Sequence, residues 1–103
     1  MKGWKEGDTM AEWTQDEAIA YEVAREDILH YMSILTEDIH AEKSKAMPDE
    51  TRIKVLHEEQ SCLQDKLRIL SVHDHEEIAR VRKKYGALVR ARTAAYEKSR
   101  LAA

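Results

Sequence analysis

The sequence is short of residues that interrupt or cross-link secondary structure. Its 103 residues include no Phe, one Cys, one Pro and three Gly. The lone Cys62 excludes an internal disulfide framework, and so few Pro and Gly leave few positions at which a helix must stop. Aromatic residues make up 6% of the chain and charged residues 36%. This balance favours long solvated helices over strands, so we predict an all-α protein.

Long apolar runs are also absent from the sequence. No stretch approaches the ~18 apolar residues of a membrane span, and the first nine residues lack the apolar centre of a signal peptide. We therefore expect a cytoplasmic protein that has no membrane partner. Gly-rich phosphate loops, nucleophile elbows and Cys-x-x-Cys pairs are missing as well. For that reason we predict no enzyme activity, no catalytic residues and no cofactor.

The charge of the chain is small in total but unevenly distributed. The formal net charge is −3. Residues 1–50 carry 13 acidic and 5 basic side chains, whereas residues 76–103 carry 3 acidic and 8 basic ones. A chain polarised in this way neutralises itself, within one molecule or between subunits, or presents opposite poles to partners.

The first half of the chain predicts one long helix after a tail. Residues 1–12 show no apolar period and are expected to be a flexible tail, within which Met10 is an alternative start. Thr14-x-x-Glu17 has the pattern of a capping box and starts the helix, which we expect over 14–46. Its main apolar face consists of Tyr21, Ala24, Ile28, Tyr31, Met32, Leu35 and Ile39.

A second apolar line follows the other side of this helix. It consists of Ile19, Val23 and Ile34, which one partner helix cannot cover. This line is the main sequence argument for a helical bundle or an oligomer.

The second half of the chain predicts another long helix, over 48–101, as the second arm of an antiparallel hairpin. Pro48 forces a turn and also suits a first helical position. The apolar stripe keeps its phase through 71–75, and no Gly or Pro occurs there, so we favour one continuous helix. The alternative is a break into 48–71 and 74–101, because Asp74-x-x-Glu77 is itself a possible capping box. The whole chain is then one helical domain that assembles as a coiled-coil-like bundle.

Two histidine patterns in the sequence bear on metal binding. His73 and His75 are two residues apart, so on one helix they point away from each other. Glu37-x-x-His40 has the spacing of half a di-metal motif, but the second arm offers no matching pair. We therefore predict no metal site.

A third class of function, a small helical enzyme, rests on a resemblance. The segment Pro48 to Arg52 resembles the turn of the short helical chorismate mutases. That family's dicarboxylate substrate implies several inward-facing basic residues. The first helix carries only Arg25 before Lys43 and Lys45, so the chain departs from that pattern.

The leading functional prediction is a non-enzymatic protein–protein interaction or regulatory module that works as a helical homodimer or higher oligomer. Its interface is predicted to contain Ile19, Val23, Ile34, Tyr85 and Leu88. The alternative is a small nucleic-acid-binding regulator that uses the basic end of the second helix. The contacts to a partner or to nucleic acid would come from Arg80, Arg82, Lys83, Lys84, Arg90 and Arg92.

Overall fold

The computed structural model describes residues 13–102, which form three α-helices and no strand. Helix α1 spans Gln15–Lys43, α2 spans Glu50–Ile69 and α3 spans His75–Ala102. The prediction of an all-α chain is confirmed for these residues. The predicted flexible tail, 1–12, and the alternative start at Met10 lie outside them.

Helix α1 begins at the capping box that the sequence predicts. The backbone N–H of Thr14 donates to Glu17 Oε1 at 2.7 Å, and the N–H of Glu17 donates to Thr14 Oγ1 at 3.0 Å. Two backbone donors that the first turn would leave without partners are therefore satisfied. The bond from the Thr14 N–H, and next the contact with His75, lower the pKa of the Glu17 carboxyl.

The turn between α1 and α2 is held by a buried carboxylate. Glu42 is only 4% exposed, and its Oε2 accepts the backbone N–H of Asp49 at 3.0 Å. Its Oε1 accepts from Lys45 Nζ at 3.0 Å. These two donors, in that order, lower the pKa of Glu42. Asp49 then starts α2 by accepting the N–H of Arg52 at 3.1 Å.

The preferred prediction of one continuous helix over 48–101 is wrong, because the chain leaves the helix at Leu70. That residue has an extended backbone (φ −63°, ψ 131°), and its side chain is buried in the core. Ser71 Oγ accepts a backbone N–H at 3.2 Å, and Asp74 Oδ1 accepts the N–H of Glu77 at 3.2 Å. Side-chain acceptors thus support a break that contains neither Gly nor Pro.

Both later helices pack against α1, which lies between them. Gln60 Nε2 of α2 donates to the Met32 carbonyl oxygen at 3.2 Å, so α2 runs back along α1. Arg92 of α3 donates to Asp38 at 2.8 Å, so α3 runs in the same direction as α1. The shared core consists of Ala24, Ile28, Leu35, Ile39, Ile53, Leu56, Leu63, Leu70, Ile78, Val81 and Tyr85.

Helix α3 partly covers the second apolar line of α1. Ile34 is only 7% exposed and shares an open hollow with Thr93 and Tyr96 of α3. Ile19, nearer the start of α1, is 54% exposed. The break before α3 therefore has a packing consequence, since a continuous helix would carry α3 away from this line.

Candidate functional site

An open groove separates α2 from α3. No Cα atom of α2 lies within 8 Å of a Cα atom of α3, although both helices pack on α1. Closely packed helices have axes 8–10 Å apart, so these two helices do not pack directly. The floor of the groove is therefore formed by α1 and by the inward side chains of the two flanking helices.

Two tyrosines form part of this floor. The rings of Tyr31 and Tyr85 lie with their centroids 5.4 Å apart and their planes tilted by 41°, a favourable aromatic geometry. The Tyr31 hydroxyl donates to Glu59 Oε2 of α2 at 3.3 Å. Burial, and then the nearby Glu59 carboxylate, raise the pKa of Tyr31. Tyr31 thus joins the middle of α1 to the middle of both other helices.

One ion pair spans the groove and fixes the alignment of its walls. Lys66 Nζ lies 3.0 Å from Glu77 Oε2. Lys66, followed by Arg80, lowers the pKa of the Glu77 carboxyl. Because α2 and α3 run in opposite directions, positions eleven residues from this pair, Val55 and Leu88, stand at the same level.

The walls of the groove expose apolar side chains. Val55 and Ile69 of α2 are 53% and 74% exposed, and Leu88 of α3 is 38% exposed. The free Cys62 is also exposed. Cys62 and Ile69 line an open hollow of about 420 Å³ at the end of α2. Apolar side chains aligned along one open groove are typical of a binding surface.

The residues predicted at an oligomer interface divide into two sets. Ile34 and Tyr85 are buried within the chain, and Tyr85 belongs to its core. They offer no exposed surface, because the break before α3 folds that helix back onto α1. Ile19 and Leu88 are exposed and Val23 is half-buried.

The predicted basic contact residues divide in a similar way. Arg92 bonds both carboxylate oxygens of Asp38 at 2.8 Å and lies 3.5 Å from Glu37. Arg80 pairs with Glu77 of its own helix at 2.9 Å. Arg82, Lys83, Lys84 and Arg90 are exposed and form no ion pair with another residue of 13–102.

These unpaired cations, together with Lys98, form the basic surface of α3. Lys98 is exposed like the others. The ammonium of Lys84 lies 5.2 Å from the centroid of the Tyr85 ring, within the range of a cation–π contact. Pairing with the acidic α1 is thus realised by Arg92, and most of the positive charge faces outward.

Val55, Cys62 and Ile69 are candidate interface residues that the sequence prediction did not include. They lie beside the main apolar stripe of α2, so a search for one amphipathic face passes over them. Their signal is their spacing, because each follows the previous one by seven residues. A seven-residue repeat keeps side chains on one side of a helix, as in coiled coils.

Among residues 13–102, no three His, Cys, Asp or Glu side chains are grouped so that they could hold a metal ion. His75 Nε2 instead contacts Glu17 Oε2 at 2.5 Å, and the His73 ring packs near Trp13. None of the helices α1 to α3 is long and apolar enough to cross a membrane.

Comparison of the chain with protein-family models, curated proteins and solved structures finds no match.

Proposed function

We propose that this chain is a cytoplasmic, non-enzymatic protein–protein interaction module that works as a helical homo-oligomer. The observation that carries the proposal is the open groove between α2 and α3, with Val55, Ile69 and Leu88 exposed along its walls. Apolar side chains on two facing walls lose contact with water when another helix enters. The assembly is then a coiled-coil-like bundle in which the missing neighbour comes from a second molecule.

The size of the chain also supports association. A domain of 103 residues buries a modest core when it is monomeric. Within residues 13–102 this core draws on three helices, and α2 and α3 each have only α1 as a close helical neighbour. Filling the groove adds a neighbour to both helices without any change in the fold.

Light scattering at micromolar concentration tests the proposal. Two copies of the 12.0 kDa chain should give a mass of about 24 kDa. A mass that stays at that of one chain up to about 100 μM would overturn the proposal, because any remaining self-affinity would be weaker than the micromolar range of ordinary specific complexes.

Nucleic-acid binding is the second candidate function, and the basic surface of α3 supports it. Arg82, Lys83, Lys84 and Arg90 stand on one exposed helix without a carboxylate partner among residues 13–102. Exposed cations along a helix can neutralise phosphates of a nucleic-acid backbone. The overall acidity of the chain, with a pI near 5.9, weighs against this candidate.

Salt dependence separates the two candidates. If α3 binds duplex DNA, log affinity falls against log salt with a slope of roughly −0.9 for each phosphate neutralised. Charge reversal by Lys83→Glu and Lys84→Glu should then abolish binding and leave the oligomer mass unchanged. We expect no complex at submicromolar protein in about 0.15 M salt, where nonspecific attraction alone is weaker than about 1 μM. A salt-sensitive complex under those conditions would make nucleic-acid binding the better candidate.

A further inference from the structure

We infer that the occupant of the groove is α2 of a second copy of this chain, packed antiparallel about a twofold axis beside Cys62. The inference rests on the proposed function and specifies its interface. In this inference the second copy contacts the exposed side of α2. It does not contact Ile19 and Val23 of the second apolar line of α1.

The spacing on α2 supports this interface. Val55, Glu59, Cys62, Lys66 and Ile69 follow one another at intervals of four, three, four and three residues. These are the intervals of a coiled-coil seam. The three apolar members are exposed, and no other helix of residues 13–102 covers them. The two charged members contact their own chain, since Glu59 accepts from the Tyr31 hydroxyl and Lys66 pairs with Glu77.

The seam is symmetric about its central residue. Val55 precedes Cys62 by seven residues and Ile69 follows it by seven. A twofold axis perpendicular to the helix therefore places Val55 against Ile69 of the second copy and brings the two Cys62 side chains together. This is an isologous contact, in which one surface is its own complement and the assembly closes at two copies.

Charge selects the antiparallel orientation. Glu59 lies three residues before Cys62 and Lys66 lies four residues after it. An antiparallel pair brings Glu59 of each copy beside Lys66 of the other, whereas a parallel pair sets each of these charges against its own kind. Lys66 also pairs with Glu77 of its own chain at 3.0 Å, so its ammonium then lies between two carboxylates. Asp65, which falls near Glu59 of the second copy, is already bonded to Arg68 of its own helix at 2.9 Å.

The single cysteine gives a direct test of the twofold axis. A short bis-maleimide should cross-link the full chain through Cys62 and give a dimer band on a denaturing gel. The matched control moves the thiol by one residue, through Cys62→Ser with Ser61→Cys. Ser61 is exposed as well, but its side chain points about 100° away around the helix. The control should cross-link at least tenfold less.

Two single-cysteine variants test the orientation. Val55→Cys and Ile69→Cys are each made with Cys62→Ser, and both replace exposed side chains. Antiparallel packing predicts strong cross-linking only when the two variants are mixed, because two Val55 positions stand roughly 21 Å apart along the axis. Efficient cross-linking of each variant alone, with no gain on mixing, would overturn the antiparallel arrangement.

Charge substitution tests whether the seam holds the dimer together. Ile69→Glu should raise the dimer dissociation constant by about a hundredfold or more, since the twofold axis introduces the charge twice. Leu29→Glu is the control, because Leu29 is also an exposed apolar residue but belongs to α1 and not to the seam. If Ile69→Glu leaves the dimer mass unchanged, as the control does, and Cys62 does not cross-link, this interface is wrong. The proposed function is not affected by that result. A monomer mass for the unmodified chain would overturn both.

Discussion

Glu42 and Asp49 are seven residues apart and are joined by a hydrogen bond of 3.0 Å from the Asp49 N–H to the Glu42 carboxylate. The acceptor lies at the end of α1, and the donor is the residue that caps α2. One buried side chain thus links the end of one helix to the start of the next.

Glu42→Gln should therefore destabilise the fold. The amide keeps the size of the side chain but loses the charge that Lys45 and Arg52 contact, and charged hydrogen bonds are the stronger ones. The urea midpoint should fall well below that of Glu58→Gln. Glu58 is an exposed control that makes no ion pair with residues 13–102. Equal midpoints for the two variants would show that the buried carboxylate adds nothing to the turn.

The two ends of the second apolar line should respond very differently to a charge. Ile34 is 7% exposed and Ile19 is 54% exposed, so Ile34→Glu buries a carboxylate whereas Ile19→Glu leaves it in water. We expect a loss of about 3 kcal/mol or more for Ile34→Glu. For Ile19→Glu we expect a change within about 0.5 kcal/mol. Chemical denaturation followed by far-UV circular dichroism measures both, and similar losses would contradict the burial of Ile34 under α3.

The break before α3 should depend on Asp74. Its carboxylate accepts the N–H of Glu77, and loss of an acceptor at the start of a helix typically costs about 1 kcal/mol. Asp74→Ala should lower the free energy of unfolding by that amount. Glu97→Ala is the control, because the Glu97 carboxylate pairs with Arg100 on the surface of the same helix and such pairs contribute little. If the Asp74 variant is as stable as the control, the side chain does not cap α3.

Acid should weaken the fold over a definite range of pH. Hydrogen bonds lower the pKa of Glu17, Glu42 and Glu77 from 4.5, the first two chiefly through backbone N–H groups and the third through Lys66. The unfolded chain therefore binds these protons more readily than the folded chain. Their stabilisation is fully present above the unfolded value near 4.5 and is lost as pH falls through the lower folded values.

Urea midpoints measured from about pH 7 to about pH 3 test this dependence. We expect a plateau at the neutral end and a decline that begins near the unfolded value. A flat profile across the whole range would contradict the lowered carboxyl values.

The capping box and the main apolar face show what the sequence could predict. Thr14 and Glu17 need only each other and a helix start, so a local pattern determines them. The core residues of α1 follow from period alone. The break at Leu70 could not be predicted in this way, because Ser71 and Asp74 replace the backbone bonds that are lost. The absence of Gly and Pro was therefore poor support for a continuous helix.

The candidate interface residues were harder to predict for a related reason. The apolar line through Ile34 predicts a further covering surface, either within a helical bundle or from a second molecule. Helix α3 reaches Ile34 within the chain because of the break, whereas Ile19 of the same line stays exposed. The seven-residue spacing of Val55, Cys62 and Ile69 is visible in the sequence, but their exposure depends on how far α2 and α3 stand apart. That distance is a tertiary property.

The central position of α1 has a consequence for motion. Among the helices of residues 13–102, α3 has only α1 as a close neighbour and is joined to α2 by the ion pair of Lys66 with Glu77. Helix α3 can therefore detach with the loss of that ion pair while the contacts of α1 with α2, including the bond from Asp49 to Glu42, stay formed. Proteins open in such units at less than the full free energy of unfolding, and we expect amide hydrogens of α3 to exchange faster than those of the α1–α2 pair. A second copy in the groove would also contact α3. Amide hydrogen exchange in α3 should then slow as the protein concentration rises, and this slowing would report assembly.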